Sequence, residues 1–330
     1  MSIPMLLAGD IGGTRTRLGL FDPTGTRPQP VVVREFSTLD FTDLVAIVST
    51  FMRDEQARGA SVQSACFGVA GPVVANAATL TNVPWRLEGD AIANALNIPR
   101  VSILNDLQAM AHGVPVLYGR ELHILQEGTP MRGGNMALVA AGTGLGEALL
   151  HNVDGQFIPS PSEAGHADFA ARTEREIALL QELTRRFGRV SLERVVSGPG
   201  LVHLHRITHS APCRVLQSTE DPDAPAIISA AALEHRCPGC HGALEMFVEA
   251  YGAEAGNLAL RTVSTGGLFV GGGIARRILP ALVDGRFLRA FADKSPFESM
   301  LRAVPVQVIL NDQAGLLGAA VYAGRVRRPT

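Results

Sequence analysis

The sequence predicts an α/β fold in two domains, on three observations. Segments of strand character alternate with segments of helical period, the pattern of layered α/β structure. Two glycine turns, Gly12-Gly13 and Gly142-Thr143-Gly144, each follow an apolar strand, one in each half of the chain. The 330 residues, 46% of them hydrophobic, are enough for two cores at about 150 residues per domain.

Taken in order, residues 6–8, the run Asp10-Ile11-Gly12-Gly13-Thr14 and residues 17–21 read as a hairpin turning at Gly12-Gly13. Residues 31–36 make a third strand. Leu44, Val45, Val48, Phe51 and Met52 have helical spacing within 42–57, which ends before Gly59. A buried-type strand over 65–70 stops at Gly71-Pro72. A helix over 90–96 precedes a short strand over 101–104, which delivers Asn105-Asp106 at its carboxyl end and leads into a helix from Leu107. The pattern restarts after Pro115, which predicts a domain boundary. The strand at 136–141 enters the second glycine turn, so the second half opens as the first does, a hint of internal duplication. Residues 174–187 form a helix closed by Gly188; Ser191 is placed to cap the next, with Glu193 in its first turn. A long helix over 243–264, a strand into Gly271-Gly272-Gly273, a strand over 306–310 and a helix over 315–323 complete the chain. The domains expected are 1–116 with 307–330, and 117–306.

Composition removes several function classes. With 29 Lys+Arg against 31 Asp+Glu, the chain lacks the positive field that a nucleic-acid partner requires. No apolar run approaches the roughly 18 residues that span a bilayer, so no membrane association is expected. The first residues carry no basic segment of a secretory signal, which predicts a cytosolic protein. Four cysteines, Cys66, Cys213, Cys237 and Cys240, are too scattered for a disulfide scaffold. Cys237-Pro238-Gly239-Cys240-His241 spells a CxxCH, but haem attachment needs export. A structural zinc would want two further ligands at comparable spacing, and neither Cys66 nor Cys213 sits in a second CxxC. The segment therefore reads as a helix-linking turn, and no metal site is assigned.

The chemistry rests on the glycine turns. Without Cβ atoms, such turns bring converging N–H groups close to phosphate oxygens, and Thr14 and Thr143 add hydroxyl donors. Neither turn is a P-loop or a Gly-x-Gly-x-x-Gly. Asp10 is placed to hold Mg2+ directly or through water. Any glycine hairpin can look like Asp-x-Gly-Gly-Thr, and an aspartate opening a helix, as at Asp106, is ordinarily a cap.

Seven segments taken together are more specific: Asp10-Ile-Gly-Gly-Thr14, Leu104-Asn-Asp106, Ala141-Gly-Thr-Gly-Leu-Gly146, Ser162-Glu-Ala-Gly-His166, Glu193 to Gly200, Gly267 to Gly273, and Asn311 to Gly318. With these in register from about Leu7 to Ala323, the chain resembles the bacterial glucokinase family, within the hexokinase, actin and Hsp70 ATPase superfamily. The resemblance implies two lobes of actin-like, ribonuclease H-like fold with a cleft between them, closing on glucose. It implies ATP-dependent phosphorylation of the glucose 6-hydroxyl with Mg2+, and a homodimer. It makes Asp106 the catalytic base and assigns the sugar to Asn105, Asp106, Glu163, His166 and Glu193. Gly9, Asp10, Ile11, Gly12, Gly13 and Thr14, then Gly142, Thr143 and Gly144, face phosphates, while Gly271, Gly272 and Gly273 take the adenosine. Asn82 and Trp85 are candidates for the cleft rim, although a Trp is more often packed core.

Arg15, where relatives often carry Asn, and Ala164, where Gly is common, depart from the family pattern and bear on affinity and sugar preference. Other hexoses are the open alternative as acceptor. An actin-like ATPase would not need the Glu-Ala-Gly-His segment, and a repressor built on a related kinase-like fold would need a DNA-binding module for which nine residues before Asp10 leave no room. The Cys/His zinc cluster usual in related ROK kinases is not supplied by a lone CxxC.

Overall fold

A computed structural model describes residues 4–327 apart from 55, 58, 81, 82, 210 and 211. It divides into a first unit, built from the chain up to Tyr118 and again from Asn311, and a second from Gly119 to Leu310. The crossover back to the first unit comes at Asn311 rather than at 307. Strand Val306–Ile309 pairs in parallel with Gly267–Gly271, and so belongs to the sheet of the second unit.

The first unit carries a five-stranded sheet in the order Gln29–Ser37, Arg15–Asp22, Pro4–Ile11, Ser61–Val69, Val101–Asn105. The first three strands are antiparallel and the last two join in parallel. One core cluster gathers Leu7, Ile11, Leu18, Phe51, Phe67 and Trp85. Another joins Leu6, Ala8, Cys66 and Leu104 of the sheet to Leu316, Ala319, Ala320 and Ala323 of helix Ala314–Arg327. That helix lies close to helix Asp106–Gly113 because both carry glycine at the crossing. A Cβ on Gly318 would fall 1.8 Å from the Ala109 carbonyl oxygen. Three short strands, Val73–Val74, Ala77–Thr79 and Arg86–Glu88, form a separate patch.

The second unit repeats the plan. Its sheet runs Gln156–Ser162, Leu145–Val153, Met136–Ala141, Gly267–Gly271, Val306–Ile309, again three antiparallel strands followed by two in parallel, with Leu122–Gln126 added antiparallel at the far edge. Helix Pro238–Thr262 runs through the core, and its Tyr251 is fully buried. The Tyr251 hydroxyl accepts from Ala141 N–H at 3.2 Å and lies 3.3 Å from the carbonyls of Val139 and Gly271, tying together two strand ends that lead into glycine turns.

Local chemistry explains where elements begin and stop. Helix Glu174–Phe187 has the expected bounds because Thr173 caps it and Gly188 leaves it at φ 74°. The helix expected over 42–57 is only Leu44–Phe51, starting where the Asp43 carboxylate accepts from Ala46 N–H. Ser191 makes no capping bond. It precedes a single 3-10 turn, Leu192–Arg194, and Ser197 caps the true helix Gly198–Thr208 through Gly200 N–H at 3.0 Å. The turn expected at Cys237–His241 is instead the start of helix Pro238–Thr262, with Pro238 at a first-turn position where its missing N–H costs nothing.

Candidate active site

In the first unit the glycine turn joins Pro4–Ile11 to Arg15–Asp22. Gly12 N–H donates to the Arg15 carbonyl at 2.9 Å, and a Cβ on Gly12 would lie 2.8 Å from that oxygen. The Thr38 hydroxyl donates to the Gly12 carbonyl at 2.8 Å and bonds Thr16 at 2.9 Å, both threonines being buried, so the turn is held from behind. Of the predicted phosphate-facing residues, Ile11 sends its side chain into the core, and Gly9 is glycine because a Cβ there would strike Phe67 at 2.5 Å. Thr14 is exposed at the turn, and Arg15 reaches Glu35 at 3.4 Å on the surface.

Asn105 and Asp106 divide the work at the next strand end. The Asn105 side chain caps helix Asp106–Gly113, accepting from Leu107 and Gln108 N–H, and donates to the Gly71 carbonyl at 3.1 Å. The capping role that a lone Asp at this place would take is thus filled mainly by its neighbour. Asp106 is exposed, with Leu107 N–H 2.8 Å from its Oδ1. Gly68 makes this placement possible: a Cβ on it would press on Ala109 at 2.9 Å and Asp106 Cα at 3.6 Å. Asp10 titrates near 6 rather than in the usual carboxylate range, because burial and then the Asp106 charge both disfavour its ionisation, with Arg17 opposing.

In the second unit the glycine turn is braced by Glu193. One Glu193 oxygen accepts from Leu145 N–H at 3.0 Å and occupies the place of a Cβ on Gly144, while the other is 4.0 Å from His166 Nδ1. Gly165 fits against Leu145 only because it lacks a side chain, since a Cβ would lie 2.0 Å from the Leu145 carbonyl oxygen. The Glu-Ala-Gly-His segment is thereby held on the turn. Two cavities meet at Thr143. One of 420 Å³ is lined by Thr143, His166, Glu193 and Ser197. The other, of 560 Å³, is lined by Gly142, Thr143, Gly198, Gly273, Arg206 and the stretch Thr219 to Asp223.

The glycines separate into two groups. Gly12, Gly144, Gly165 and Gly272 are demanded by the protein's own packing, the last also by φ 87° and a Cβ position 2.2 Å from the Ala141 carbonyl oxygen. Gly142 and Gly273 have nothing within 4 Å of a built Cβ and both line the larger cavity. Open space at these two positions gives an anionic or planar ligand room to approach the backbone, although the Gly142 N–H itself donates to the Gly144 carbonyl at 2.8 Å.

Not every predicted residue is brought in. Glu163 is exposed and lines neither cavity. Trp85 is packed in the core, and Asn82 lies outside the described residues. Conversely, Thr16, Thr38, Gly68, Arg206 and residues 219–223 carry no sequence signal that ties them to the site, and Ser197 lies in the segment Glu193 to Gly200 without a role of its own there.

The family model described as glucokinase matches residues 7–326. The glucokinase of Nostoc punctiforme is 39% identical over 341 residues, covering 98% of this chain and 99% of that protein. That of Synechocystis sp. is 40% identical over 347 residues, covering 97% and 98%. Among solved structures, a glucokinase from an Antarctic psychrotroph superposes with a TM-score of 0.85 at 29% identity, over 97% of this chain and 99% of that one.

Proposed function

The chain belongs to the glucokinase family and is an ATP-dependent glucose kinase, and from that premise we propose that Asp106 is the base that takes the proton of the glucose 6-hydroxyl. As that proton passes to Asp106, O6 forms its bond to the γ-phosphorus, the bond to the β–γ bridging oxygen breaks, and ADP leaves. Glu193 and His166 hold sugar hydroxyls, the carboxylate as acceptor and the imidazole as donor or acceptor. Asn105, fixed by its cap, presents what remains of its amide, and the Asp106 carboxylate completes the sugar set.

The observation that supports the placing of nucleotide and sugar is the pair of cavities sharing Thr143. The larger one offers the space beside Gly142 and Gly273 for triphosphate and adenosine, and the smaller one offers Glu193 and His166 for the sugar. The first unit adds the Gly12-Gly13-Thr14 turn for phosphate. Asp10 is a hard-oxygen donor whose ionisation burial and the neighbouring Asp106 charge disfavour, a penalty that a dication held by Asp10, directly or through water, would relieve, so the residue fits Mg2+. Mg2+ bound there supplies charge neutralisation for the phosphates. A homodimer and a cytosolic location complete the proposal and are testable by light scattering and cell fractionation.

The test is ADP release across a panel of hexoses with Asp106→Asn as the comparison. Glucose is expected to be the preferred acceptor. The variant should lose a factor on the order of 10² or more in kcat while still binding glucose, because the amide keeps an acceptor oxygen for the sugar hydroxyl. Full turnover by the variant removes Asp106 as base, and preference for another hexose reassigns the acceptor.

A further inference from the structure

Away from both cavities, the second unit draws together His205, His209, Cys213 and Cys240, whose donor atoms lie within 4.8 Å of one another, with Cys237 in contact with His209 and Cys213, and the kinase reaction uses none of the five. They come from the end of helix Gly198–Thr208, the loop after it and the start of helix Pro238–Thr262. The Cys213 sulfur lies 3.9 Å from that of Cys237 and 3.8 Å from that of Cys240. His209 Nε2 lies 3.2 Å from the Cys237 sulfur and 4.0 Å from the Cys240 sulfur. Tetrahedral zinc with Zn–S of about 2.3 Å and Zn–N of about 2.0 Å sets its donors roughly 3.5–3.8 Å apart along each edge. Sulfurs linked in a disulfide would instead be about 2 Å apart.

Three further observations point the same way. His209 Nδ1 is 2.7 Å from the His205 carbonyl oxygen, the outer hydrogen bond that fixes a metal-bound imidazole with Nε2 directed at the ion. Gly239, inside the Cys-Pro-Gly-Cys run, is where the imidazole needs room, since a Cβ there would sit 2.5 Å from His209 Cε1 and Nε2. His205 is 95% buried, its ring lies tilted against that of His209 at 3.9 Å between centroids, and among the described residues neither of its ring nitrogens has a hydrogen-bond partner. A polar ring left so in an apolar interior is costly, and it belongs to the same donor cluster.

We propose that Cys213, Cys237, Cys240 and His209 bind one structural Zn2+ ion, with His205 buried beside it as the orienting residue. Binding joins three sulfurs and one imidazole nitrogen to the ion and releases the three thiol protons to the medium, with no change of oxidation state. The CxxC supplies one edge of the tetrahedron, as the sequence allows. The other edge comes from His209 and Cys213, which lie in no second CxxC and reach it through the fold. The ion would staple two helices and the root of the loop whose residues Thr219 to Asp223 line the larger cavity.

The test uses the full chain, purified without chelator and, separately, supplied with Zn2+ alone. Metal analysis should find about one zinc per chain, and titration with an organomercurial in the presence of a zinc-sensitive dye should release it in step with thiol modification. Cys237→Ser and His209→Ala should lose most of the zinc, whereas Cys66→Ala, in the other unit, and His205→Ala should keep it. Because a variant that fails to fold would also lose metal, the mercurial titration is made on the unaltered protein. A zinc content near zero that added Zn2+ does not raise, or a disulfide among these cysteines by mass spectrometry, overturns the proposal. Full zinc in His209→Ala overturns the ligand set.

Discussion

Glu147 and Glu254 are both buried, and Arg261 forms ion pairs with both, 3.5 Å from one carboxylate and 2.8 Å from the other, while the Lys294 ammonium also interacts with Glu254. Burial first, then the Glu254 charge, pushes Glu147 up to about 8, so at neutral pH it keeps its proton. A carboxyl whose folded value exceeds its unfolded 4.5 adds stability that is complete below the unfolded value and fades as pH climbs to the folded one. Glu147→Gln, which supplies a permanent amide donor, should therefore gain in Tm over the parent as pH rises from 5 to 8, and the gain should level off above about 8. The slope expected is about 2–4 °C per kcal/mol for a unit of this size, read by calorimetry at several pH values. Gly273 gives a second prediction. Gly273→Ala should raise the KM for ATP several-fold, with the KM for glucose and Tm little changed, because a Cβ there enters the cavity and meets no described protein atom within 4 Å. Neither residue could be ranked from sequence. Glu147 looks like any polar residue beside a glycine turn, and Gly273 is one of three adjacent glycines until the space beside each is known.

At the level of elements, the sequence was most legible where a cap and a stop frame a periodic run, as in Glu174–Phe187, and where a strand is apolar throughout, as in Met136–Ala141. It was least legible at Leu145–Val153 and Gln156–Ser162, half-exposed strands in which His, Asn and Pro interrupt alternation; tertiary pairing, not propensity, makes them strands. The candidate site follows the same division. Residues at strand ends, Asp10, Asp106 and Gly142, could be placed, whereas the bracing through Thr38 and Ser197 depends on contacts distant in sequence. The Ser197 hydroxyl accepts from Gly200 N–H at 3.0 Å and donates to the Glu193 carbonyl at 2.6 Å, linking the helix cap to the turn that carries Glu193. Ser197→Ala should cost about 1 kcal/mol in denaturant unfolding and raise the KM for glucose several-fold. An unchanged KM would show that the cap holds the helix without positioning Glu193.

For the whole molecule, the hint of duplication is realised as one strand order used twice, although the two glycine turns share almost no residues beyond glycine and threonine. Sequence could show the paired turns but not the equivalence, because it resides in the order and direction of strands. The second unit is inserted within the first, which is complete only with helix Ala314–Arg327. A chain ended after Leu310 should leave Leu6, Ala8, Cys66 and Leu104 uncovered, and also lose the bond from the Ser64 hydroxyl to the Ala323 carbonyl. Limited proteolysis with mass spectrometry should then find cuts concentrated before Tyr118 and few in 119–310; equal resistance throughout would show that the first unit stands without its last helix. The same arrangement dictates an order of events on the ribosome. The amino-terminal sheet emerges first yet stays bare along one side while nearly two hundred residues of the insert are made, so the part translated earliest is the last to mature. A nascent chain of this design exposes apolar strands for most of its synthesis, until the closing segment clears the exit tunnel.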